Sequence, residues 1–258
     1  MWVKTAQTIV YAFVFMAIHL YILGIYNIDN MYLSPDWNDR PLWRKMLELH
    51  IHGEGSRAKY FFCWVWAEAA CIASGIGFSG HDAAGKATWE TAKNVKPMGV
   101  ELSATFVQIP HNWNVQTGNW LRNYVYDRTT PKGKRGGFKQ LLVTQVVSGV
   151  WHGLYAGYWL FFVSSAVFVH ASKVIFRWQR DNWPKKWSWV IDFPHWLLTT
   201  FGLNYLCVAF MLVTYDQCVA AWASLYFIPH FIILGMCVFG EVMNRKKKAK
   251  RVAEKKMQ

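Results

Sequence analysis

The apolar residues of this chain fall in long unbroken blocks rather than at helical or strand spacing, and nothing else constrains its fold so strongly. Five blocks stand out: Thr8–Tyr26, Tyr60–Phe78, Leu141–Ala171, Val190–Thr214 and Val219–Gly240. Four of them hold 19–25 residues, close to the ~20 that a helix needs to cross ~30 Å of hydrocarbon. Trp, Tyr and Phe crowd the block ends, as they do at the two interfaces of a bilayer. An aromatic content of 17%, with 16 Trp, is too high for an ordinary soluble domain, and a chain of 258 residues cannot hide five such blocks in one core. The expected fold is therefore an all-α multipass integral membrane protein with about five membrane blocks. Residues 1–240 would form the membrane domain and residues 241–258 a basic cytosolic tail.

The first block follows Trp2 and Lys4, is too long for a signal peptide and lacks a small-residue cleavage site, so it reads as a retained helix. Five cysteines (Cys63, Cys71, Cys207, Cys218 and Cys237) sit in or beside apolar blocks without a CxxC pair, which suggests buried thiols rather than disulfides or zinc. His50 and His52 resemble a metal pair, but no third ligand stands at a recognisable spacing, and no metal is expected.

The net charge of +13 is unevenly spread. The tail EVMNRKKKAKRVAEKKMQ holds eight Lys/Arg against Glu241 and Glu254, and the loops Arg122–Lys139 and Lys173–Lys186 are also basic. Each run abuts a membrane block, so the positive-inside rule explains them better than nucleic-acid binding does. All three then face the cytosol, with the short segment Thr214–Cys218 as a lumenal turn. Lys255 and Lys256 near the end resemble the cytosolic dilysine signal of endoplasmic reticulum proteins. If Lys139 and Lys173 share a side, Leu141–Ala171 must enter and leave on that side. At 31 residues it is ~46 Å long as one helix, too short for two perpendicular crossings. A hairpin bent near Trp151–Gly157 fits, with His152 deep at the bend; one long tilted crossing is the competing arrangement.

Upstream, HNWNVQTGNWLRNYVYDR opens with HNWNVQTGN, which packs three Asn and a Gln around Trp113 and up to Trp120. Thr117 is placed to cap a helix over Gly118–Asp127, with Trp120, Leu121, Tyr124 and Val125 on one face and Arg122, Asn123 and Arg128 on the other. This reads as an amphipathic helix lying in the interface. The same stretch, followed by LLVTQVVSGVWHGLYAGYWLFF, resembles the signature of the membrane-bound O-acyltransferase family, and most closely its lysophospholipid acyltransferase branch. The family pairs an asparagine in a W/F-N-(V/I) loop with a histidine in a W-H-G membrane segment. The matching residues are Trp113-Asn114-Val115 and Trp151-His152-Gly153, with Asn114 and His152 38 positions apart. The resemblance runs from about residue 10 to residue 240. Family members are roughly twice this length, so the chain corresponds to their C-terminal half, and a missing N-terminal half or a homo-oligomer would complete the chamber.

The resemblance implies transfer of an acyl group from acyl-CoA, as co-substrate, to the free hydroxyl of a lysophospholipid, without a cofactor. An alcohol is a poor nucleophile until a base takes its proton, and a histidine with an ordinary pKa of ~6.5 suits that task. His152 is the candidate base, and Asn114 the donor to the developing oxyanion or the residue that orients its partners. Trp113 and Trp151 are candidate substrate-binding residues, and Arg128, Lys132, Lys134 and Arg135 candidate holders of the CoA phosphates. His19, His170, His195 and His230 read as hydrogen-bonded structural residues, and His111, three residues before Asn114, is near enough in sequence to touch the site. Two other readings stay open: a sterol, diacylglycerol or protein hydroxyl as acceptor, and a haem protein. In a straight block His152 and His170, 18 residues apart, would share one face.

Overall fold

The computed structural model describes residues 1–184 and 187–256, with the side chains of 181, 188, 244 and 247–256 left aside. Lys185 and Lys186 of the second basic loop, and the side chains of the dilysine pair, therefore lie outside the described residues. The chain forms two compact units. The first comprises residues 1–103 and 108–124, and the second residues 104–107 and 125–258.

In the first unit, helix α1 (Trp2–Ile25) runs antiparallel to helix α2 (Leu42–Ala73). Phe13 meets Phe62 and Trp66, Phe15 meets Phe61, and Ile22 lies against Gly55. Gly55 is required there, since a Cβ would stand 2.5 Å from Ile22 Cγ2. His19 Nδ1 is 2.8 Å from the Gly55 carbonyl oxygen at the same crossing. The connection between the helices is fastened by Arg40, which donates to Asp36, Glu48 and the Asn30 carbonyl. Its N–H groups, with the Ser34 hydroxyl, hold the Asp36 carboxyl well below the usual carboxylate range. Deeper in α2, Arg57 forms a bidentate pair with Glu101 at 2.8 and 2.7 Å and is 4% exposed.

After α2 come a two-residue ribbon, β1 (Gly80–His81) and β2 (Ala87–Thr88), and the short helix α3 (Pro97–Glu101). Helix α4 (Val115–Leu121) continues through a π-helical turn, Arg122–Tyr126, into α5 (Asp127–Thr129). The expected helix is present, but it starts at Val115 rather than Gly118, and Thr117 does not cap it. The reason is non-local. The Asn94 carbonyl accepts from Val115 N–H at 2.8 Å and Asn94 Oδ1 from Gln116 N–H at 2.9 Å, so the first free amides are satisfied from another segment.

In the second unit, α6 (Phe138–His152) and α7 (Ala156–Asn182) form an antiparallel hairpin. Phe138 meets His170 at its open end, and His152 meets Tyr158 and Phe162 at its closed end. The chain breaks at Gly153, whose φ of 129° and ψ of 178° suit only glycine. The block Leu141–Ala171 is thus bent within the expected window, and Lys139 and Lys173 sit at the same end of the hairpin. Helix α8 (Ser188–Leu212) packs on α7, where the Gly157 amide donates to the Val213 carbonyl at 2.8 Å. Helices α9 (Tyr215–Ala223) and α10 (Ile228–Lys256) follow, bent by 79° over the stretch to Met243. The core here is Phe168, Tyr205, Leu206, Val208, Ala209, Cys218 and Ile233, all at most 2% exposed. Phe106 enters it from the segment 104–107, against Phe168 and beside Gly202.

Three helices among the described residues are long and apolar enough to cross a membrane: Trp2–Ile25, Ala156–Arg180 and Trp189–Leu212. The bent pair α9–α10 makes a fourth if it is one span. The multipass all-α expectation holds, but its blocks do not map one to one onto spans. Tyr60–Phe78 is the end of α2, a helix that carries Arg57, Lys59 and Glu68 and stops at Ala73 before Gly75. Val219–Gly240, long enough for a single helix, turns where Tyr226 and Phe227 take positive φ. The basic residues after 240 prolong α10 rather than leave it. Of the five free cysteines only Cys218 is buried; the others are partly or fully exposed, so the expectation of five buried thiols fails.

Candidate active site

Asn114 ends a turn and begins a helix. Its backbone is left-handed, φ 47° and ψ 53°, a conformation that asparagine tolerates better than other non-glycine residues. Before it, Ile109–His111 form a 3-10 turn, and Asn112 is held by its Nδ2, which donates to the Gly99 carbonyl at 3.1 Å. The Trp113 ring is caged by Tyr60, Phe61 and Trp64 of α2 at centroid distances of 5.5, 5.6 and 4.9 Å. Rigid aromatic neighbours on one side and a helix start on the other fix the position of Asn114.

The side chain is oriented as well. Asn94 Nδ2 donates to Asn114 Oδ1 at 3.1 Å, while Asn94 Oδ1 accepts from Gln116 N–H. With its oxygen occupied, Asn114 has its own NH2 group to offer, and the described residues give that group no acceptor. A preset amide donor of this kind stabilises oxygen that gains negative charge.

His152 is the last residue of α6, at the closed end of the hairpin. Its ring stacks on Phe162 at 5.0 Å, meets Phe210 of α8 edge-on at 5.2 Å, and touches Trp151 and Tyr158. These contacts hold the imidazole by its faces and edges and leave its nitrogens alone. Among the described residues, neither ring nitrogen has a hydrogen-bond partner. The contrast with the other histidines is informative. His19 bonds the Gly55 carbonyl, His195 lies 2.6 Å from Gln179 Nε2, and His230 bridges Tyr205 OH at 2.8 Å and Ser164 Oγ at 3.3 Å. Those three are structural, as expected. His170 differs: only its ring contact with Phe138 is described.

Asn114 and Trp113 belong to the first unit, and His152 and Trp151 to the second, together with Arg128, Lys132, Lys134 and Arg135. The basic loop is a defined turn. Gly133 takes φ 74°, Lys134 N–H donates to the Pro131 carbonyl at 3.0 Å, and Gly136 lies under the Tyr126 ring. Gln140 ties its ends together, accepting from Gly137 N–H and donating to the Thr129 carbonyl. Lys132, Lys134 and Arg135 are exposed. The loop precedes α6 and His152 ends it, so the 15 residues of that helix set them ~22 Å apart. Trp151 is 68% exposed, unlike the caged Trp113.

The break at Gly153 removes the straight helix that would have lined up His152 with His170, and the two lie at opposite ends of the hairpin. His52 pairs with Tyr32 OH at 3.2 Å and His50 faces Glu54 at 3.7 Å. Among the described residues, no three His, Cys, Asp or Glu side chains cluster as metal ligands would. Local pattern did not single out Asn94, Phe162 or Phe210. Asn94 acts across 20 positions, and the two rings reach His152 from other helices.

The first unit thus carries an oriented amide at a helix start, and the second a histidine at a hairpin end whose ring nitrogens have no hydrogen-bond partner among the described residues. The chain belongs to the membrane-bound O-acyltransferase family, whose sequence model matches residues 3–242. It is 41% identical over 246 residues to lysophospholipid acyltransferase 1 of Arabidopsis thaliana, covering 94% of this chain and 53% of that protein. The lysophospholipid acyltransferase of Schizosaccharomyces pombe is 35% identical over 222 residues, 83% of this chain and 44% of that protein. Human membrane-bound glycerophospholipid O-acyltransferase 2 is 30% identical over 220 residues, 83% of this chain and 39% of that protein. The chain thus spans about half the length of the curated relatives it matches.

Proposed function

We propose that the chain carries the catalytic half of a lysophospholipid acyltransferase that uses acyl-CoA. The names of its relatives support the substrate class. The observation that carries the chemistry is the His152 ring, gripped by four aromatic residues, with neither nitrogen bonded among the described residues. In the reaction, the free glycerol hydroxyl attacks the thioester carbonyl carbon as His152 takes its proton. The carbonyl oxygen becomes an oxyanion that the Asn114 NH2 group stabilises. Collapse breaks the C–S bond, and the imidazolium returns its proton to the CoA thiolate, leaving the base neutral for the next turnover.

Arg128, Lys132, Lys134 and Arg135 would hold the CoA phosphates, with the pantetheine arm bridging the length of α6 to His152. Trp113 and Trp151 would contact the lipid substrates. The basic loops and tail, including the dilysine pair, suit a cytosolic face of the endoplasmic reticulum membrane. Enclosure of two lipid chains away from water calls for more helices than the described spans supply, so the N-terminal half of a relative, or a second copy, is the proposed partner. The test is an acyltransferase assay on microsomes containing the chain, alone and with the N-terminal half of the Arabidopsis relative. A panel of lysophospholipids, a sterol and a diacylglycerol serve as acceptors. Acylation of lysophospholipids that vanishes in His152→Ala supports the proposal; acylation only of the other acceptors refutes it.

A further inference from the structure

A cavity of about 400 Å³ opens within the first unit, between α1, the C-terminal half of α2, α3 and the extended segment before it. Its walls carry charge of both signs. Lys4, Lys93 and Lys96 line it, and so does Glu68, which is only 6% exposed. The described contacts give the Glu68 carboxylate no hydrogen bond. The carboxylate is therefore open to the cavity, where a cationic group can reach it. Lys93 and Lys4 lie near enough to act on it electrostatically, but Lys93 is already bound to Glu90 at 2.6 and 2.7 Å. The remaining walls include the apolar Val95 and Met98, and the Tyr11 ring stands beside the charged groups.

A simple anion entering this cavity would meet Glu68, and a simple cation would meet three lysines. A ligand with a phosphate and an amine a few bonds apart would satisfy both. Its phosphate would draw on the lysine ammoniums, and its amine on Glu68, with the Tyr11 face available to a quaternary ammonium. We propose that this cavity is a headgroup site for a zwitterionic phosphate ester of the phosphocholine or phosphoethanolamine kind, with Glu68 selecting the amine. The inference rests on the lysophospholipid reading and assigns it a specificity residue. The cavity also adjoins the catalytic machinery. Lys93 and Val95 line it on either side of Asn94, which orients the Asn114 amide and caps its helix. A headgroup seated there would steady the segment that sets Asn114.

Equilibrium binding separates this inference from turnover. The 258-residue chain is placed in nanodiscs, and displacement of a fluorescent lysophosphatidylcholine is followed with four competitors: lysophosphatidylethanolamine, lysophosphatidic acid, monoacylglycerol and CoA. Lysophosphatidylethanolamine should compete best. Glu68→Gln should weaken both zwitterionic lipids about tenfold or more and strengthen lysophosphatidic acid. Lys96→Glu should weaken all three phosphate-bearing lipids and spare monoacylglycerol. Thermal unfolding of each variant at the wild-type temperature establishes that its fold is intact; the near-isosteric Glu68→Gln is the safer of the two. Equal effects of Glu68→Gln on zwitterionic and anionic lipids, no effect on either, or competition by CoA alone would each overturn the proposal. Selective binding without any acyl transfer in the microsomal assay would instead refute the acyltransferase reading and leave the headgroup site standing.

Discussion

Asn94 gives the sharpest single test, because its two functions can be separated. Its Oδ1 caps the start of α4 by accepting from Gln116 N–H, and its Nδ2 orients Asn114 by donating to Oδ1. Asn94→Ala removes both bonds. At ~0.5–1.5 kcal/mol for each ordinary hydrogen bond, the expected loss is about 1–3 kcal/mol of stability. The Val115 bond survives, since it uses the Asn94 backbone carbonyl. Asn94→Asp keeps the capping acceptor and adds a negative charge at a helix N-terminus, which the helix dipole favours by ~0.3–1 kcal/mol. It removes the donor, however, and sets carboxylate oxygen against Asn114 Oδ1. The Asn114 amide should turn its NH2 group towards the new carboxylate and lose it as an oxyanion donor. Asn94→Asp should therefore unfold at or above the wild-type temperature while acyl transfer falls ~10²-fold, the scale for losing one such donor. Thermal unfolding in detergent and initial rates in microsomes read the two effects. A wild-type rate in Asn94→Asp, or the same destabilisation in both variants, would refute the reasoning.

Other substitutions test other links. Asn114→Gly keeps the left-handed turn and removes only the amide, so it should match Asn114→Ala in lost activity, ~10²–10³-fold, while unfolding at a higher temperature by circular dichroism. Gly157→Ala forces a Cβ onto the Ala209 carbonyl and within 2.7 Å of Val213 Cα, and should cost ~1–3 kcal/mol in thermal unfolding. Arg57→Ala removes the buried cation that Glu54 and Glu101 share and should cost ~3–5 kcal/mol, visible as loss of folded protein on size-exclusion chromatography. Neutralising Arg128, Lys132, Lys134 and Arg135 together should raise KM for acyl-CoA more than KM for lysolipid in steady-state assays; equal effects would assign the loop to membrane topology alone.

Much of the architecture was legible in the sequence because it follows from block length and from glycine. The hairpin around His152 could be anticipated: a 31-residue block flanked by basic residues fits a turn near Trp151–Gly157, where Gly153 and Gly157 both lie, and the break falls at Gly153. Two elements escaped for opposite reasons. Tyr60–Phe78 is as apolar as the real spans, but its helix starts 18 residues earlier, at Leu42, amid buried Lys45, Glu48 and Arg57, whose partners make that burial tolerable. The break in Val219–Gly240 lacks a glycine; its only local signal is Pro229 in the first turn of α10. In the site, the two motifs marked Asn114 and His152, but what orients them is tertiary. Thr117 looked like a cap because Thr caps helices locally, whereas Asn94 takes that task from 22 positions before Gln116. No period or motif connects Phe210 to His152; only the packing of α8 on the hairpin does.

The central claim is that His152 is the base for acyl transfer to a lysophospholipid hydroxyl. Its most direct test is the rate of transfer from radiolabelled acyl-CoA to lysophosphatidylcholine in microsomes containing the chain with the N-terminal half of the Arabidopsis relative, comparing wild type with His152→Ala at matched, membrane-inserted protein. The account predicts a rate lower by ~10²–10⁴-fold in the variant, the contribution of a positioned general base. An unchanged rate in His152→Ala would contradict it.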